Sequence, residues 1–156
     1  MPTYHLPSSS AMYPDYSGGL GNCSEEVYPI AAGATGILLD SSASAAIAAA
    51  DVVRLVYLPK GFQVTHVTAN VSTAAGQALT ANVGLAYVDG VDDSTFPQSA
   101  TAYFSALAFN SAARTEMTSA REVKKLPKAA YLILTFAGTT LASAMKAQFI
   151  VRGIQR

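Results

Sequence analysis

The sequence predicts an all-β chain, an antiparallel sandwich or barrel of about eight strands, and three observations predict it. Short runs of alternating apolar and polar residues recur along most of the chain. Turn-forming stretches containing Gly, Pro and Asp separate these runs at the spacing of sandwich and barrel proteins. The triplet Leu-Pro-Lys occurs twice, at 58–60 and 126–128, each time just before such a run. Proline has no N–H to donate to a sheet ladder, so both triplets mark the entrance of a strand rather than its middle.

Residues 1–28 carry no helical or strand period. They hold Pro2, Pro7, Pro14, three serines at 8–10, Gly18, Gly19, Gly21 and four of the eight tyrosines, Tyr4, Tyr13, Tyr16 and Tyr28. That composition predicts an extended N-terminal arm over 1–28, followed by a β-sandwich domain over 29–156. The first apolar run falls at about 30–39. Ser41 and Ser42 followed by the alanine-rich residues 43–50 fit either an N-capped helical turn or the start of a strand at about 46–58. After the first Leu-Pro-Lys, Thr65, Val67, Ala69 and Val71 share one face while His66, Thr68 and Asn70 take the other, the signature of a half-buried strand. Further strands are expected at about 79–88, 101–109 and 129–137, with a weaker one near 114–120. In the last strand Met145, Ala147, Phe149 and Val151 point one way and Lys146, Gln148 and Arg152 the other. Thr73-Ala74-Ala75-Gly76 and Gly138-Thr139-Thr140 read as hairpin turns, and Asp89-Gly90 opens a longer loop through Pro97. The core should include Val53, Leu55, Val67, Val71, Leu85, Tyr87, Leu132, Leu134, Phe136, Phe149 and Val151.

A chain of 156 residues suits one domain and buries enough surface to fold without disulfides or metal. Only 13% of its residues are charged, about half the usual share, so much of its surface is Ala, Ser, Thr and Gly. Such a surface suits enclosure by neighbouring protein. The net charge is zero but unevenly spread: residues 1–51 carry five acids and no Lys or Arg, and residues 52–156 carry ten Lys and Arg against five acids. An acidic front and a basic body can pair within one chain or between copies. Cys23 is the single cysteine, so no intrachain disulfide forms. The opening MPTYHLPSSS has neither a basic nor an apolar region of a secretory signal, and no apolar run reaches membrane-spanning length.

Catalytic chemistry finds little support. With His5 and His66 as the only histidines, and neither paired at ligand spacing, a zinc site is not expected. No Gly-x-Ser-x-Gly elbow accompanies His66, and Gly33-Ala34-Thr35-Gly36 lacks the Lys-Ser/Thr ending of a phosphate loop. Asp89, Asp92 and Asp93 lack the calcium-loop ligand spacing and read as a solvated loop. The basic run around Arg121, Lys124, Lys125 and Lys128 is interrupted by Glu122, which favours a protein contact over nucleic acid. No cofactor, metal, nucleic acid or membrane is expected as a partner.

The strand "DVVRLVYLPKGFQVTHVTANVS", then "ANVGLAYVDG", a polar loop with Phe96-Pro97, "LPKAAYLILTFAG" and "KAQFIVRG" follow one another in an order that resembles the small cement, or head-decoration, proteins of tailed bacteriophages. The resemblance covers about residues 46–154. It implies a jelly-roll-like sandwich that forms homo-oligomers, dimers or trimers, and sits on the outer surface of an assembled head across junctions of the major capsid protein, with no reaction. Synthesis would take place in the host cytoplasm. A phage tail, fibre or receptor-binding module is the alternative function. For partner contacts, Tyr4, Tyr13, Tyr16 and Leu20 are the expected apolar anchors of the arm, and Asp15, Glu25 and Glu26 its charged contacts. Lys60, Lys124, Lys125 and Lys128, at or beside the two corners, are the expected basic contacts.

Overall fold

The computed structural model describes residues 2–6, 23–117 and 123–155, and these contain strands and no helix. The strands are β1 (Thr3–His5), β2 (Cys23–Ala32), β3 (Val52–Leu58), β4 (Phe62–Thr73), β5 (Leu79–Tyr87), β6 (Ser99–Ala108), β7 (Ala113–Glu116), β8 (Ala130–Gly138) and β9 (Met145–Gln155). One sheet has the order β1-β3-β8-β5-β6 and the other β2-β9-β4-β7. From β2 to β9 the chain changes sheet at every connection except β5 to β6. That is the path of an eight-stranded jelly roll, to which β1 is added at one edge. All pairings are antiparallel except that of β1 with β3.

The alternation read from the sequence becomes the core. In β9, Met145, Ala147, Phe149 and Val151 are buried and Lys146, Gln148 and Arg152 exposed. In β4, Val67, Ala69 and Val71 face inward, and a bulge between Val64 and His66 sets that register. Every residue expected in the core, from Val53 to Val151, is buried.

Four local expectations are corrected. The stretch at 73–76 and that at 138–140 are crossovers between sheets, because β4 and β5, and β8 and β9, belong to different sheets. Residues 43–50 are neither helix nor strand. An isolated bridge joins Ile37 to Ala46, Ile47 is fully buried, and Asp40 and Ala50 adopt positive φ of 50° and 71°. The weak strand expected near 114–120 is β7, which ends at Glu116. Finally, ordered strands lie inside the expected arm. β2 begins at Cys23, six residues before the expected start of the domain at 29, with Tyr28, Ile30 and Ala32 inward. Pro29 hid this strand in the sequence; β2 is the edge of its sheet, where a missing N–H is tolerated.

β2 and β1 lie on the same side of the sandwich, each the edge strand of its sheet. Residues 38–42 run between them: Leu39 N–H donates to the Ala31 carbonyl (2.8 Å) and Ser42 N–H to the His5 carbonyl (3.1 Å).

Candidate partner-binding site

The two Leu-Pro-Lys corners meet at one end of the sandwich. Leu58 and Leu126 are both buried and anchor their corners. Pro59 ends β3, and Phe62 N–H closes a turn onto the Pro59 carbonyl (3.2 Å) with Gly61 at φ 86°, the position of a type II turn that takes glycine. The second corner then hydrogen-bonds to the first: Gly61 N–H donates to the Leu126 carbonyl (2.9 Å) and Leu126 N–H to the Phe62 carbonyl (2.9 Å). One corner is thus repeated because it forms two halves of the same end of the sandwich.

A third strand end joins them. Val88 N–H donates to the Ala129 carbonyl (3.1 Å), bringing the long β5–β6 loop against the second corner. Lys128 Nζ donates to Asp89 Oδ2 (3.0 Å) and to the Val91 carbonyl (3.2 Å), and lies 5.6 Å from the centre of the Tyr87 ring. The Asp89 carboxyl is held below the usual carboxylate range, first by the Val91 N–H and then by Lys128. Between corner and loop opens a shallow, mostly apolar cleft of about 420 Å³, lined by Lys60, Val88, Asp89, Pro127, Lys128 and Ala129.

The acidic loop is occupied with itself. Asp92 Oδ1 accepts from Asp93 N–H (2.8 Å) and Gln98 N–H (2.7 Å), and Asp93 Oδ1 accepts from Thr95 N–H (2.9 Å) and Phe96 N–H (3.3 Å). Among the described residues no group of three His, Cys, Asp or Glu is placed to hold a metal ion.

The structure therefore gathers some expected contact residues and separates others. Lys60 is exposed on the cleft rim, and Lys124 and Lys125 are exposed on the segment entering the second corner. Lys60 and Lys125 have no ion-pair partner among the described residues. Lys128, expected to be free for a partner, instead clamps the β5–β6 loop. Glu25 and Glu26 lie near the same end, since Cys23 pairs with Ile154 and Ile154 with Gln63 beside the first corner. Glu25 is nonetheless paired across the sheet with Arg152. Tyr4, expected to anchor on a partner, is buried in this chain's own core, near buried Asp51. Burial, then the charge of Asp51, pushes the Tyr4 phenol above its usual range. Tyr13, Asp15, Tyr16 and Leu20 lie outside the described residues. Sequence reading missed the roles of Asp51 and Asp89 because Tyr4 and Lys128, which lie beside them in the fold, are distant along the chain.

The outward face of the four-stranded sheet carries a polar network. Glu116 on β7 accepts from Thr68 Oγ1 (2.6 Å) and Arg114 Nε (2.9 Å) and also pairs with His66. These hydrogen bonds, Thr68 first, then His66, then Arg114, lower the Glu116 carboxyl from 4.5 to about 2. A depressed carboxylate contributes stability in full above its unfolded value, and loses it as pH falls through its folded one. Glu116→Gln should therefore flatten the decline of melting temperature between pH 4.5 and about 2, the window set by that shift. Thermal melts of both proteins across that window check it; Asp89 and Asp93, also lowered, leave a residual slope.

No protein-family model matches the chain, and no curated protein does. Solved structures do match over nearly the whole chain. A chain in the capsid of Ralstonia phage GP4 aligns with a TM-score of 0.69 at 16% identity, covering 99% of this chain and 98% of that one. A chain in the capsid asymmetric unit of cyanophage Pam1 aligns with a TM-score of 0.59 at 21% identity, covering 97% of this chain and 100% of that one. At these identities the likeness is one of fold.

Proposed function

We propose that this protein is a capsid cement or decoration protein that binds the outer surface of an assembled phage head across subunit junctions and stabilises it. The observation that carries this reading is the end-to-end alignment with a chain of comparable length in the capsid of phage GP4. The low charge and the small-residue surface support it as well. Its partners are the major capsid protein and other copies of itself, and no reaction or cofactor is part of the role. The corner end, with Lys60 on the cleft and Lys124 and Lys125 exposed on the segment entering the second corner, is the docking end, where exposed ammonium groups meet carboxylates of the shell. The N-terminal residues Tyr13, Asp15, Tyr16 and Leu20 add contacts to shell or neighbour.

Because the protein binds assembled heads and not free subunits, mass action stabilises the assembled state. Heads lacking the protein should rupture at lower temperature, and adding it back should restore the difference. Equal rupture temperatures of stripped and redecorated heads would refute the role. The double variant Lys60→Glu, Lys125→Glu should keep the parent's folding stability to within about 0.5 kcal/mol, as exposed unpaired sites do. Its binding to heads should fall by about tenfold or more, read by co-sedimentation at low salt. A handful of copies at one vertex of purified particles would instead identify a tail component.

A further inference from the structure

β1 occupies a slot. On one side it pairs in parallel with β3, Thr3 opposite Val52, Tyr4 opposite Val53 and His5 opposite Arg54. On the other side lies Ser42, whose Oγ accepts from His5 N–H (3.0 Å) and whose N–H donates to the His5 carbonyl (3.1 Å). The Pro2 carbonyl accepts from Val52 N–H (3.1 Å), while the Tyr4 ring and the Leu6 side chain are buried beneath. The slot floor ends in Asp51, which is buried and accepts from Ala48 N–H (2.9 Å).

We propose that this slot takes residues 2–6 of a second copy of the chain, so that neighbouring copies exchange their β1 strands. The same hydrogen bonds and the same burial form whichever copy supplies the strand, so the choice rests on the tether and on local concentration. The tether is long for its task. Residues 7–22 are sixteen residues, able to reach about 55 Å when extended. Within one chain they run from Leu6, toward the Ala31 end of β2, to Cys23 at its other end, eight residues or about 26 Å along the strand, well short of that reach. Connections of this length are uncommon inside a compact domain. β1 is also the one strand added in parallel at a sheet edge, the mode by which an extended segment is captured from another chain. The surface of small, uncharged residues permits two copies to approach closely.

The test uses the full chain with Cys23→Ser and does not depend on the capsid role. One version carries Thr3→Cys and the other, of different mass tag, Val52→Cys. These positions face each other in the pairing, at a separation a disulfide can bridge. The two are refolded together at about millimolar concentration, comparable to that imposed by a tether of this kind, and oxidised. Exchange gives a disulfide between the two versions, at least about tenfold above either version oxidised alone. A single chain carrying both cysteines serves as control, since it oxidises whether its own or a neighbour's strand fills the slot. Complete oxidation of that control within one chain, with no crosslink between the two single-cysteine versions, would overturn the proposal. Failure of the control to oxidise at all would overturn the β1–β3 pairing itself, and the proposal with it.

Discussion

Phe149→Ala is expected to cost about 3–5 kcal/mol of folding stability, the usual range for removing a buried phenylalanine ring from a core. Phe149 is fully buried on β9, the strand flanked by β2 and β4 in the four-stranded sheet. It lies between Tyr28 and Ala69 in the register, and the small Ala69 leaves space that the ring fills. Neither neighbour can close that space without moving its strand, since both are held by continuous ladders. For a chain of this size the loss corresponds to a drop in melting temperature of about 6–20 °C. Urea and thermal denaturation measure it; a loss under about 1 kcal/mol would mean that the ring does not fill the core.

Gly84→Ala is the second change with a large expected effect. Opposite Gly84 the register slips: Val83 pairs with Phe104 and Leu85 with Ser99, so a bulge of β6 folds over this position. A Cβ at residue 84 would stand 2.0 Å from the Ser99 carbonyl oxygen and 2.4 Å from the Ala100 carbonyl carbon. Both are backbone, which cannot rotate away as a side chain can, so β6 must shift from the sheet. Such overpacking costs about 1–3 kcal/mol, and backbone contact places Gly84→Ala at the upper end. Hydrogen exchange should localise the damage, with amides of 99–104 losing protection ahead of those in β9. Unchanged protection there would show that the bulge does not close over Gly84.

The candidate site was legible in part. Both Leu-Pro-Lys corners were visible as strand entrances because proline's chemistry is local. Their hydrogen bonding to each other was not, since 68 residues separate them. Lys60 and Lys125 could be read as exposed cations, whereas Lys128, preceded by the same Leu-Pro as Lys60, is paired with Asp89. Tyr4 was legible as an anchor, but the seat it anchors on was not. A tyrosine in a Pro- and Ser-rich stretch looks unattached until β3 and Asp51 are brought beneath it.

What the sequence determined by itself was periodicity: the inward faces of β4, β5, β8 and β9, the core residues they carry, and the all-β class. These follow from side chains alternating along a strand, which each segment states for itself. Tertiary structure decided which segments share a sheet, and so turned two apparent hairpins into crossovers. It also placed β1 in parallel beside β3 and drew the chain's opening residues into the fold. The reason is that hydrogen-bonding edges are alike in every strand. Pairing is chosen by closure of distant segments over a common core, a choice that no local pattern encodes.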